Sequence, residues 1–263
     1  MTVTNQTALI TGASSGIGYQ LARLFAQDGY NLVLVARTEE KLNQVAQEFR
    51  NQFSNQKITA IAKDLSKDGS PQELYDETKR QGLTVDVLVN DAGFGEHGLF
   101  SETDLKKELD MIHLNVVSLT FLTKLYLQEM LSRKNGKILQ LASIASYQPT
   151  PLLAVYAATK AYVLSFTEAL INELKGTGVT MTALVPGATD TDFFNRAGAE
   201  NTVAANGSLS DPAEVAKAGY EALMKGDDKV VVGFKNKAMA AASSALPDPV
   251  VAGMSRKQME DEK

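Results

Sequence analysis

Two kinds of apolar run alternate along the chain. Short, nearly continuous apolar blocks lie at Thr7–Thr11, Asn31–Ala36, Lys57–Ala62, Val85–Val89, Gly136–Leu141, Val179–Val185 and Lys229–Val232. Between them, apolar residues recur at helical spacing. Leu21, Leu24 and Phe25 share a face within Tyr19–Gln27, and Leu42, Val45, Ala46 and Phe49 share one within Glu39–Phe53. Further helices are predicted over Pro71–Gln81, with proline in the first turn, and over Asp104–Arg133, Val155–Leu174 and Pro212–Met224. Strands that are apolar throughout are buried on both faces, and helical connections between them make the sheet parallel. The pattern predicts an α/β fold: a single doubly wound domain, residues 1–233, around a parallel seven-stranded sheet. Two stretches break the rhythm. Ala188–Ser210 is polar and aperiodic, and a loop of that length in a compact domain is usually functional, so a substrate lid is expected there. Residues 234–263 form a tail, partly alanine-rich, that either packs on the domain or makes an oligomer contact.

Composition narrows the chemistry. The 263 residues include no cysteine and only two histidines, His97 and His113, which excludes disulfides, thiolate sites and a His-rich metal centre. A net charge of -5 without a basic block argues against nucleic acid as a partner. No apolar run reaches the roughly 18–20 residues of a membrane span, and Met1–Gln6 carries neither a basic residue nor an apolar core of a signal sequence. A cytoplasmic location is therefore expected.

Thr11-Gly12-Ala13-Ser14-Ser15-Gly16-Ile17-Gly18 joins the first strand to the first helix. Glycines there permit a tight turn and close approach of a pyrophosphate, and the helix N-terminus offers free N–H groups to it. Gly12, Ser14, Ser15, Gly16, Ile17 and Gly18 are thus candidate dinucleotide contacts. Gly12-Ala-Ser14-Ser-Gly16 also fits the nucleophile elbow of serine hydrolases, but an elbow needs earlier strands to supply its oxyanion loop, and both histidines lie well before the second half of the chain. At the end of the second strand, where a carboxylate would select NAD, the sequence reads Val35-Ala36-Arg37. An arginine favours the extra phosphate of NADP, so NADP(H) is favoured over NAD(H).

Tyr156 and Lys160 stand four apart and share a helix face. A tyrosine is a poor base at neutral pH, and a neighbouring ammonium is expected to lower its pKa. Ser143 follows the fifth strand, where the chain can double back so that its hydroxyl meets a substrate carbonyl. Tyr147–Ala154 lies between Ser143 and Tyr156, and with Phe193 and Phe194 it either lines an apolar-tolerant pocket or packs in the core or at a subunit interface. His97 reads as a surface loop residue and His113 as a helix residue, and neither is assigned a role.

With these landmarks in order, the chain resembles the short-chain dehydrogenase/reductase superfamily from about Thr7 to Val232. The resemblance rests on the glycine turn, Asp64-Leu65, Asn90-Asp91-Ala92-Gly93, Asn115, Ser143, Tyr156-x-x-x-Lys160 and Pro186-Gly187. It implies a Rossmann-like fold and a catalytic set of Asn115, Ser143, Tyr156 and Lys160. Tyr156 would act as general acid or base, Ser143 would polarise the substrate oxygen, Lys160 would hold the nicotinamide ribose, and Asn115 would hold a water. The resemblance further implies adenine contacts from Asp64 and Leu65, ribose contacts from Asn90, Ala92 and Gly93, nicotinamide contacts from Pro186 and Gly187, and a contact from Thr191 to the carboxamide or the pyrophosphate. Two positions depart from the family pattern. Asp91 replaces an asparagine that braces the central sheet, and Ser15 stands where many NADP-preferring members carry a basic residue.

The expected function is NADP(H)-dependent interconversion of a ketone or aldehyde and an alcohol. A non-catalytic dinucleotide-binding regulator is the alternative. The expected partners are a small carbonyl or alcohol substrate and further copies of the chain, as a homodimer or homotetramer.

Overall fold

The structure, a computed structural model, describes residues 4–243 and 246–262. Residues 1–3, 244–245 and 263 lie outside it, and with them parts of the N-terminal reading and of the predicted tail. The strands are β1 (Thr7–Thr11), β2 (Asn31–Ala36), β3 (Ile58–Ala62), β4 (Val87–Asn90), β5 (Gly136–Leu141), β6 (Val179–Val185) and β7 (Lys229–Val231). They form a seven-stranded sheet in the order β3-β2-β1-β4-β5-β6-β7, with every neighbouring pair parallel. The order reverses between β1 and β4. At such a switch point the connections leave in opposite directions, and a crevice opens beyond the strand ends.

The helices are α1 (Gly16–Gln27), α2 (Glu39–Gln52), α3 (Ser70–Arg80), α4 (Leu105–Ile112), α5 (Leu119–Arg133), α6 (Ala154–Glu173), α7 (Phe193–Ala197), α8 (Val203–Asn206), α9 (Pro212–Lys225), α10 (Phe234–Ser243) and α11 (Asp248–Met259). Because side chains alternate across a strand, the apolar strands feed two cores. On one face Ala8, Ile10, Leu32 and Leu34 meet Leu21 and Phe25 of α1, Phe49 of α2 and Leu223 of α9. On the other, Leu9, Val33, Val35 and Leu88 meet Leu74 of α3 and Leu122, Tyr126 and Met130 of α5.

Three segments differ from the pattern-based expectation. The long helix over 104–133 is not uniform: His113–Ser118 forms a π-helical turn between α4 and α5. Such a turn re-aims the side chains after it, a change that apolar spacing does not register. Residues 188–210 are not structureless, since they contain α7 and α8, and their ends are pinned by a bridge between Thr189 and Ser210. The tail folds into α10 and α11. Val203 donates to the Glu260 carbonyl (3.1 Å) and Glu262 to that of Asn201 (2.8 Å), which ties the end of the chain to the 188–210 segment. Helices α7 and α8, of 5 and 4 residues, have too few turns for periodicity to mark them. Among the described residues, no helix is long and apolar enough to cross a membrane.

Candidate active site

The glycine turn leaves the end of β1 at the switch point. Gly12 (φ 74°) and Gly16 (φ 57°) occupy the left-handed region that side chains avoid. A Cβ on Gly18 would stand 2.6 Å from the Gly12 carbonyl oxygen, so the turn closes only without side chains. Ser15 starts α1 without a side-chain cap hydrogen bond, so within the first turn only the Gly18 N–H is directed to a side chain, that of Asp91. A bare, positively polarised helix start behind a glycine cradle fits a dinucleotide pyrophosphate.

Thr11 fixes the opposite wall. Its hydroxyl donates to the Val89 carbonyl (3.2 Å) and accepts from the backbone N–H of Asp91 and of Ala92, both at 3.1 Å. The Asn90 amide points away from the crevice, donating to Thr123 Oγ1 (3.1 Å) and Gln140 Oε1 (3.0 Å). The brace of the central sheet is therefore Asn90 with Thr11, and any ribose contact at position 90 falls to its backbone. The departure at Asp91 lands elsewhere, beneath the glycine turn. Its Oδ2 lies 2.7 Å from where a Gly12 Cβ would stand and 2.5 Å from a Gly18 Cβ. It accepts the backbone hydrogen bond of Gly18, while Oδ1 is buried without a partner among the described residues. Burial pushes this carboxyl up to about 7, against the pull of Lys160 and of the Gly18 N–H.

Ser143, Tyr156 and Lys160 converge beside it. Ser143 caps a 3-10 turn over Ile144–Tyr147 and exchanges hydrogen bonds with it: its Oγ accepts from Ala145 N (3.2 Å) and its N donates to Ser146 Oγ (3.2 Å). Ser146 Oγ in turn donates to the Lys160 carbonyl (2.8 Å), and Ile144 N donates to the Pro186 carbonyl (2.8 Å). The turn thereby locks the end of β5 to α6 and to the Pro186-Gly187 loop. Lys160 Nζ donates to the Leu141 carbonyl (2.7 Å) and lies 5.8 Å from the centre of the Tyr156 ring. Asn115, in the π-helical turn, is fully engaged by protein. Its Oδ1 accepts from Phe94 N (3.3 Å), and its Nδ2 donates to the Phe94 carbonyl (3.0 Å) and Thr159 Oγ1 (3.1 Å). Its side chain holds the loop after β4 against α6, which leaves the backbone for any water.

The expected lowering of the Tyr156 pKa is not present in the free protein. Burial pushes the phenol up to about 12 and Asp91 adds to the rise, against a hydrogen bond with Ser143. Burial also brings Lys160 down to about 8, with Asp91 opposing. Desolvation penalises both charges, and a cation bound nearby would shift the balance toward the phenolate.

Residues 6–202 match the short chain dehydrogenase family. The chain belongs to this family. It is 36% identical over 185 residues to a very-long-chain 3-oxoacyl-CoA reductase of Anas platyrhynchos, covering 68% of this chain and 58% of that protein. Two fungal reductases of the same name are covered over 51% of their length, so the chain spans little more than half the length of these curated relatives. Among solved structures, a short-chain dehydrogenase from Sphingobium yanoikuyae in complex with NADPH superposes with a TM-score of 0.82 at 27% identity, covering 91% of this chain and 94% of that one. A 7β-hydroxysteroid dehydrogenase superposes with a TM-score of 0.85 at 27% identity, covering 95% and 96%.

The other expected contacts lie in the loops that follow β2, β3, β4 and β6. Arg37 is exposed at the end of β2. Asp64 accepts from Ser66 N (3.1 Å) and Oγ (2.7 Å), which shapes the turn after β3, and Leu65 beside it is buried. Gly93 runs past Lys160, whose Nζ would be 3.6 Å from a Cβ there. Gly187 is bare because a Cβ would stand 2.3 Å from the Asn236 amide. Thr191 lies over the glycine turn, with Cγ2 3.1 Å from a Gly16 Cβ position.

Three features of the site escaped sequence reasoning. Thr159 and Ser146 hold the catalytic candidates in place, yet a lone hydroxyl carries no sequence signal of such a role. Gly95 abuts Phe193 and Tyr156; its spacing from Gly93 was the available hint. His97 is not a free surface residue. Its Nε2 contacts the Met259 carbonyl (2.7 Å) and its N–H donates to the Ala197 carbonyl (2.8 Å), joining α7 to α11. His113 pairs with Asp68 at 2.8 Å. Both histidines are thus engaged away from Ser14, so the hydrolase reading has no base.

Proposed function

We propose that this chain is an NADP(H)-dependent oxidoreductase that interconverts a ketone or aldehyde and an alcohol. The observation that carries the reading is the convergence of Ser143, Tyr156 and Lys160 beside a side-chain-free dinucleotide turn. A bound nicotinamide would supply or accept the hydride. The protein's residues do the rest. Ser143 Oγ and Tyr156 Oη hydrogen-bond the substrate oxygen and turn the carbonyl carbon toward the cofactor. In reduction, Tyr156 gives its proton to that oxygen as it becomes an alkoxide. With a pKa near 12, Tyr156 is fully protonated at neutral pH and ready as the acid. Lys160, brought down to about 8, can give a proton to the phenolate that results. Asn115 positions the Phe94 loop and α6, and Arg37 meets the 2′-phosphate.

Residues up to 233 would carry cofactor and chemistry, with 188–210 as the substrate lid. The named activities of several relatives concern carbonyl compounds with apolar groups, and the Phe193 ring against Tyr156 suits a substrate with an apolar group at the carbonyl. Exposed Leu105, Leu109, Ile112, Val117 and Phe121 run along α4, the π-helical turn and α5, a surface suited to pairing two copies. A single mass at monomer size in light scattering would overturn the oligomer.

The test is a paired titration with NADPH and NADH, read by cofactor fluorescence, followed by a carbonyl screen with the tighter cofactor. Tighter NADPH binding that Arg37→Ala abolishes, together with turnover of a ketone, supports the reading. Preference for NADH removes Arg37 as selector. Binding without turnover of any carbonyl or alcohol favours the regulator.

A further inference from the structure

The ring of Phe193, at the start of α7, stands against the ring of Tyr156 with centroids 4.9 Å apart and planes inclined by 51°. Its far edge fills the space that a side chain at position 95 would need: a Cβ on Gly95 would lie 2.9 Å from Phe193 Cζ, 3.2 Å from Cε2 and 3.5 Å from Tyr156 Cδ2. Phe193, Gly95 and Tyr156 therefore make one packed contact at the ring of Tyr156, the residue whose hydroxyl would meet the substrate. This contact is held from behind. Phe194 is buried and meets Phe193 edge-on, with centroids 5.6 Å apart. Thr191 sits on the glycine turn, and the Ala197 carbonyl at the other end of α7 takes the His97 N–H. His97 is itself anchored to the end of α11. A ring braced at both ends of its helix acts as a wall.

We propose that Phe193, seated against Gly95, is the specificity-determining residue of the site. It would limit the second substituent of the carbonyl compound to a small group, so that aldehydes and methyl ketones are accepted and ketones with two bulky arms are excluded. The inference rests on the reductase reading and deepens it, because it assigns which half of the substrate the protein measures. One arm lies along the apolar side chains of the crevice. The other points at Phe193, where an added methylene meets a ring already seated in the side-chain volume that Gly95 lacks.

The test uses the full chain saturated with NADPH and a series of phenyl alkyl ketones whose alkyl arm grows from methyl to butyl. The wild type should lose kcat/KM steeply along the series. Phe193→Ala should raise the butyl-to-methyl ratio at least tenfold with the NADPH dissociation constant unchanged. Gly95→Ala, whose methyl would overlap the seated ring, should steepen the loss, and the Gly95→Ala/Phe193→Ala double variant should relieve it. A uniform drop for every ketone in Phe193→Ala would overturn the proposal, since a merely structural role predicts that. In parallel, calorimetry with phenyl alkyl carbinols and bound NADPH reads the width of the pocket without turnover. A Phe193-dependent length limit in binding, with no ketone turned over, would leave the wall standing and remove the reductase reading. Length-independent binding, or no binding to any variant, would overturn the wall.

Discussion

Asp91 offers the sharpest quantitative prediction. Its carboxyl lies under the glycine turn with one oxygen on the Gly18 N–H and the other buried without a partner. Burial outweighs Lys160 and lifts its pKa from 3.8 to about 7. A raised carboxylate pKa means that the folded state holds a proton the unfolded state has released. Its cost to stability is absent below about pH 4, grows by about 1.4 kcal/mol per pH unit, and levels off above pH 7 near 4 kcal/mol. Asp91→Asn keeps the shape and an acceptor for Gly18 but cannot ionise, so the cost disappears. Urea unfolding of both proteins across pH should give curves whose separation widens by about 3 kcal/mol between roughly pH 5 and pH 8, with the asparagine variant the more stable at the alkaline end. Ionisations common to both proteins cancel in that difference. The same charge lies behind the pyrophosphate cradle, so cofactor affinity in the wild type should also fall over this window while that of Asp91→Asn stays level. Parallel unfolding curves, with a constant offset at every pH, would refute the buried-charge argument.

Other substitutions test the site and the core separately. Tyr156→Phe should lower turnover by about 10²–10⁴-fold while changing NADPH affinity little, as measured by steady-state rates beside fluorescence titration. For alcohol oxidation by the wild type, the rate should climb with pH, because Tyr156 must lose a proton held near 12 in the free protein; ketone reduction should stay level through neutral pH. Gly18→Ala places a methyl 2.5 Å from Asp91 Oδ2 and 2.6 Å from the Gly12 carbonyl oxygen. Thermal melts should show about 1–3 kcal/mol of overpacking cost, and isothermal titration should detect no dinucleotide binding. Phe25 is fully buried between Tyr30 and Tyr220. Phe25→Ala should cost about 3–5 kcal/mol in denaturant unfolding without altering which cofactor is preferred.

Much of this protein is legible in the chain itself. Seven apolar blocks separated by helical spacing determine a parallel, doubly covered sheet, because a strand can be apolar throughout only if both faces are buried. The glycine turn is legible for a similar reason, since Gly12 and Gly16 adopt backbone angles open to few other residues. Tyr156 and Lys160 share a face by helix geometry alone. The sequence did not reveal anything that depends on which surfaces meet. The spacing around His113–Ser118 reads as plain helix, although the π-helical turn sets where Asn115 points. The short helices α7 and α8 lack a periodic signal because neighbouring segments, not their own spacing, hold them. Asp91 reads as a change in sheet bracing, yet Asn90 and Thr11 do that bracing, and Asp91 faces the dinucleotide turn instead. The pKa values are the clearest case. A lysine four residues from a tyrosine predicts a lowered phenol, but the tertiary structure buries both and raises it. Local patterns determine where a side chain starts and which way it leaves the backbone. Only the packed molecule decides what surrounds it, and desolvation, contact and charge pairing all depend on those surroundings.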